Sequence, residues 1–98
     1  MSIMSMKKIA YKIIYSGNVQ GVGFRFTVIR FAKAYDSITG YVKNLPDGSV
    51  ELFAEGLEEE VESLLEDITS GPHSAHIKNV SANIVPVSNH FSVFSVSY

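Results

Sequence analysis

The order of hydrophobic spacings restricts what this chain can fold into more than any single residue does. Phe24, Val28, Phe31, Ala32 and Tyr35 recur at i, i+4, i+7, i+8 and i+11, one face of a helix. Leu57, Val61, Leu64, Leu65 and Ile68 repeat that spacing further on, among Glu58, Glu59, Glu60, Glu62, Glu66 and Asp67. β-Branched and aromatic runs at 8–16, 38–44, 49–55, 77–85 and 91–98 read as strands. Leu45-Pro46-Asp47-Gly48 reads as a turn, Gly56 as the end of the third strand, and Gly71-Pro72 as the stop of the second helix. The order is therefore β-α-β-β-α-β with a last strand appended. Strands interleaved with two helices predict an α+β sandwich, with a mostly antiparallel sheet and both helices on one face. The ferredoxin-like, split βαβ arrangement is the commonest solution for that order.

Ninety-eight residues suffice for one two-layer core and not for two. Residues 8–98 are expected to form one domain, preceded by a tail over residues 1–7 in which Met4 and Met6 are alternative starts. The segment MSIMSMKKIAYKII has no apolar stretch long enough for a signal-peptide core, and no run approaches a membrane span. A cytoplasmic protein that does not engage membranes is expected. The chain contains no cysteine, so disulfides, thiolate zinc sites and a cysteine nucleophile are excluded.

Charge is split along the chain. Residues 1–44 hold seven Lys/Arg and one acid, Asp36, whereas residues 45–98 hold Lys78 and nine acids. This pattern fits two solvated faces, or a basic half that presents a site to a small anion. A net charge of −2 speaks against a nucleic-acid binder. Tyr11, Tyr15, Tyr41 and Phe53 are read as core or sheet-face packing rather than as base-stacking residues, because the glycine–aromatic motif of that class is missing.

The segment Gly17-Asn18-Val19-Gln20-Gly21-Val22-Gly23-Phe24-Arg25 lies between the first strand and the first helix. Glycine can turn its N–H group inward with no Cβ in the way, and successive inward N–H groups form an anion-binding nest. The following helix adds unpaired N–H groups and the positive end of its dipole. Arg25, in the first helical turn, can grip two phosphate oxygens. On residue types alone, a tight turn that uses glycine for geometry is the favoured reading. The spacing matches neither a Walker loop nor the dinucleotide fingerprint.

The run from Gly17 to Arg25 resembles the acylphosphatase signature G-x-V-Q-G-V-x-F-R. Gly40-Tyr41-Val42-Lys43-Asn44, followed by Asp47-Gly48-Ser49-Val50, resembles that family's second signature. The resemblance extends from about Lys8 to the end of the chain. It implies a ferredoxin-like enzyme that hydrolyses small acyl phosphates without metal or cofactor. It implies that Gly17, Asn18, Val19, Gln20, Gly21, Val22 and Gly23 hold the phosphate through backbone N–H groups. Arg25 matches the family's phosphate-binding arginine, and Asn44 its water-orienting asparagine. Leu45 is a departure, since some relatives carry a polar residue there.

The chemistry agrees with this. An acyl phosphate expels a carboxylate with a pKa of roughly 4–5, which leaves unprotonated. An alkyl ester would call for a general acid or a metal. The signatures hold no acid placed for that duty except Asp47, which is read as a turn residue. His73, His76 and His90 are not read as metal ligands, because no neighbouring acid completes a set. The expected partners are a small acyl phosphate and, in the loop, inorganic phosphate or a similar anion. A monomer is expected. The chain ends directly after its last strand, which predicts a stand-alone enzyme rather than a domain of a larger hydrogenase-maturation protein. The alternative reading is a non-catalytic phosphate-binding module on the same fold.

Overall fold

The computed structural model describes residues 7–98. The expected tail lies outside the described residues, apart from Lys7, whose carbonyl accepts a hydrogen bond from Glu58 N at 2.9 Å. Five strands and two helices follow in the predicted order: β1 (Lys8–Gly17), α1 (Phe24–Ala32), β2 (Thr39–Asn44), β3 (Val50–Leu57), α2 (Glu58–Thr69), β4 (Ile77–Val85) and β5 (Phe94–Ser97). A 3₁₀ turn, Ser74–His76, precedes β4.

The strands form one sheet in the order β4-β1-β3-β2-β5. β3 runs antiparallel to both β1 and β2, so β1 and β2 point the same way on either side of it. This is the split βαβ arrangement. β4 extends the sheet antiparallel to β1, and β5 extends it parallel to β2.

Strand alternation decides which face is covered. Ile13, Tyr15, Val42, Val50, Leu52 and Ala54 point into one core with Phe24, Val28 and Ala32 of α1 and Val61, Leu64 and Ile68 of α2. Both helices therefore lie on one face, as the spacing predicts. On the other face Tyr41 stacks on Phe53 at 5.8 Å, and Phe91 leans on both rings. The fully buried Glu55 accepts hydrogen bonds from Ser88 N at 2.5 Å and Asn89 N at 2.9 Å, which ties the segment between β4 and β5 across that face.

Several element limits differ from the sequence reading. Gly56 does not end its strand, since β3 continues to Leu57. A Cβ at Gly56 would lie 2.8 Å from the Ser37 carbonyl, and Ser37 Oγ accepts from Leu57 N. Close approach, not a turn, explains this glycine. Leu57 itself has extended backbone and precedes α2 rather than joining its stripe. α1 stops at Ala32, short of Tyr35, in 3₁₀-like bonds from Ala34 N to Phe31 O and from Tyr35 N to Ala32 O. Ser49 lies in the β2–β3 turn. The last strand begins at Phe94, because Phe91 is drawn onto the open-face aromatics.

One register detail positions the site. Val50 of β3 pairs with Tyr15 on one side and with Asn44 on the other. The C-terminal ends of β1 and β2 therefore reach the same edge of the sheet at the same level, and α1 begins there.

Candidate active site

β1 ends at Gly17, which has φ +127° and no room for a side chain: a Cβ would lie 2.3 Å from the His76 carbonyl. That carbonyl accepts from Asn18 N at 2.9 Å, so the 3₁₀ turn before β4 fixes where the loop leaves the sheet. Gly21 and Gly23 also have left-handed backbone, at φ +77° and +82°, with open space where a Cβ would stand. Gly23 is the N-cap of α1, and its carbonyl takes the first helical bond, from Thr27 N. The N–H groups just before Thr27 have no partner within the helix.

Val19, Gly21, Gly23, Phe24, Arg25, Phe26 and Asn44 line one cavity of about 250 Å³. The structure thus brings Arg25, on the first turn of α1, and Asn44, the last residue of β2, to the same space as the loop glycines. Asn44 Oδ1 is buried and has no hydrogen-bond partner among the described residues. A buried amide oxygen of this kind is poised to accept a hydrogen bond from something that enters the cavity. Arg25 is half-buried, and its guanidinium carbon lies 5.7 Å from the centroid of the Tyr98 ring.

Other predicted loop residues sit differently. Gly17 belongs to the β1 ladder, and Asn18 gives its N–H to His76. Val22 is exposed at the loop tip. Gln20 sends its side-chain amide away from the solvent to the carbonyls of Leu45 and Ser49, both at 2.8 Å. The phosphate-type loop and the hairpin that carries Asn44 are thereby tied together. Asp47 does act as a turn residue: its Oδ1 accepts from Ser49 N at 2.9 Å and from Ser49 Oγ at 2.5 Å. The Ser49 hydroxyl, and then its N–H, hold the Asp47 carboxyl below the usual carboxylate range.

His73 lies behind the site. Its ring packs edge-on against Phe24, and Nε2 is 3.1 Å from Thr27 Oγ1. Among the described residues no three His, Asp or Glu side chains converge as a metal-binding group would. The tyrosines predicted to pack do so: Tyr15 is buried against Phe24, where burial raises its phenol above the ordinary value. Burial, and then its hydrogen bond to Glu51, push the Tyr41 hydroxyl up to about 12.

Sequence reasoning missed Phe26 and Tyr98. Phe26 had a signal, as a large apolar residue off the helical stripe and next to Arg25. Tyr98 had none, because only the parallel pairing of β5 with β2 brings the end of the chain to Arg25.

The acylphosphatase family model matches residues 11–96. An acylphosphatase of Archaeoglobus fulgidus is 44% identical over 90 residues, covering 92% of this chain and 99% of that protein. The crystal structure of an acylphosphatase from Bacillus subtilis matches with a TM-score of 0.83 at 36% identity, over 92% of this chain and 99% of that one. The structure of an acylphosphatase from Coxiella burnetii matches with a TM-score of 0.82 at 35% identity, over 99% of this chain and all (100%) of that one. No helix among the described residues is long and apolar enough to cross a membrane. With its two signatures meeting at one cavity, the chain belongs to the acylphosphatase family and hydrolyses acyl phosphates.

Proposed function

We propose that the cavity holds the phosphoryl group of a small acyl phosphate and directs a water molecule at its phosphorus. One observation carries this reading: Arg25 and the unpartnered Asn44 Oδ1 line the same cavity as Gly21 and Gly23. The loop from Val19 to Gly23 and the first turn of α1 supply N–H donors to the phosphate oxygens. Arg25 adds a planar, two-pronged contact.

Charge develops on the equatorial oxygens as phosphoryl transfer proceeds. Donors fixed by the fold stabilise that charge without reorganising. Asn44 Oδ1 accepts a proton-bearing edge of the water and holds its oxygen in line with the bond to be broken. A water O–P bond forms, the P–O bond to the acyl group breaks, and the carboxylate leaves with the electron pair. The water's proton passes to a phosphate oxygen. Neither Arg25 nor Asn44 acts as a general base, and the good leaving group makes a general acid unnecessary. The same reading makes the enzyme independent of added metal and leaves inorganic phosphate in the loop after turnover. A monomer acting in the cytoplasm is part of the proposal.

Purified protein mixed with acetyl or benzoyl phosphate in the presence of a chelator tests it. Substrate loss well above the spontaneous rate is expected. Turnover that appears only on adding metal would overturn the metal-independent mechanism. Light scattering on the same sample tests the monomer.

A further inference from the structure

We propose that Phe26 selects the acyl group, and that this enzyme favours acyl phosphates with an aromatic or bulky apolar acyl chain over acetyl or carbamoyl phosphate. The inference rests on the phosphate-site reading of the cavity given above.

Phe26 stands about 200° around the helix from Phe24, which is buried in the core. It takes no part in the core and is 73% exposed. A ring left in water at an arbitrary surface position needs no explanation. This ring lines the cavity that holds Arg25 and Asn44. Its chain neighbour Arg25 lines the same cavity and has the exposed Tyr98 ring 5.7 Å from its guanidinium carbon. The wall of a polar anion site thus carries one exposed aromatic ring.

Geometry assigns that surface to the leaving group. In-line displacement puts the acyl oxygen opposite the attacking water. Asn44 ends β2 and Phe26 stands on α1, so the two line the cavity from different elements. With the water assigned to Asn44, the acyl group is assigned to the wall that carries Phe26. A volume of about 250 Å³ lies just below the usual range for small-molecule sites, about 300–1,000 Å³. A larger acyl chain against that wall covers the Phe26 ring, which removes apolar area of both from water. An acetyl group covers less of it.

The test compares kcat/KM for benzoyl and acetyl phosphate in wild type, Phe26→Ala and Phe26→Leu. The intrinsic reactivities of the two substrates cancel when each variant's benzoyl-to-acetyl ratio is divided by that of the wild type. The ratio is expected to fall about tenfold in Phe26→Ala, the lower end for losing apolar contact in a pocket because this wall is one-sided. Phe26→Leu, which keeps part of the apolar area, is expected to fall less. The exposed position predicts unchanged thermal midpoints, so the kinetics read the site and not unfolding. A ratio within twofold of wild type in Phe26→Ala would overturn the assignment of Phe26, with the phosphate site left standing. A wild type that turns over neither substrate would overturn the phosphate-site reading and this inference with it.

Discussion

The amide nitrogen of Gln20 donates to the carbonyl oxygen of Leu45 at 2.8 Å, and so joins the loop that precedes α1 to the residue that follows Asn44. A second bond of the same length reaches Ser49 O. Both carbonyls also accept backbone donors, from Gly48 N and Leu45 N respectively. Cutting back Gln20 therefore orphans neither oxygen. Gln20→Ala is expected to lower stability by about 1–2 kcal/mol, two ordinary net hydrogen bonds. It is expected to lower kcat/KM by about ten- to a hundredfold, because the two halves of the site lose their tie. Gln20→Glu points a carboxylate at two carbonyl oxygens and should do worse on both counts. Urea titration and steady-state kinetics on the two variants check this; full activity in Gln20→Ala would mean that the tie does not matter.

Arg25→Lys keeps the charge and loses the fork. Its kcat/KM is expected to fall by about 10²–10³, the range for removing one preorganised donor. Asn44→Ala is expected to lower kcat strongly with little change in KM, since orienting water does not bind ground-state substrate. A pure KM effect in Asn44→Ala would contradict the role proposed for it.

The glycines should separate stability from activity. A Cβ at Gly40, where φ is +138°, would lie 1.9 Å from the Phe53 carbonyl, and one at Gly17 would meet His76 O at 2.3 Å. Backbone atoms cannot step aside cheaply, so Gly40→Ala and Gly17→Ala are expected to lose more than about 4 kcal/mol or fail to fold. Gly21→Ala meets only left-handed strain, about 1–2 kcal/mol, and should fold. Its Cβ adds bulk at the cavity, so activity is expected to drop more than stability. Thermal melts set beside specific activity give the ordering.

The Asp47 carboxyl has its value lowered in the folded state, so the charged form is the stabilising one. That contribution is present at neutral pH and is lost as pH falls below about 4, the ordinary carboxylate value, through the lowered folded-state value. Asp47→Ala is therefore expected to have a lower urea midpoint than wild type at pH 7, with the gap narrowing at pH 3. A gap that stays constant across that range would remove the carboxylate's charge from the account.

Local patterns carried the architecture well. The bounds of β4 follow from its β-branched run, and the α2 stripe of Val61, Leu64 and Ile68 is the face that is buried. What stayed hidden were long-range contacts. Gly56 reads as a terminator until Ser37 is seen against it, and Phe91 reads as strand until Tyr41 and Phe53 are seen to hold it. At the site, the types and spacing of Arg25 and Asn44 were readable. The direction of the Gln20 side chain was not, because it depends on a hairpin 25 and 29 residues away.

β3 places no side chain among those lining the cavity, yet Val50 stands between Tyr15 and Asn44 in the sheet. It works as a spacer of fixed width. The distance between the loop and Asn44 is set by two strand-to-strand steps, about 10 Å in all. A slip of one residue in either pairing would turn Asn44 or the end of β1 to the wrong face. The site exists only once all three strands are zipped in register. A fragment that stops before β3 would hold every residue assigned to the chemistry and still have no active site.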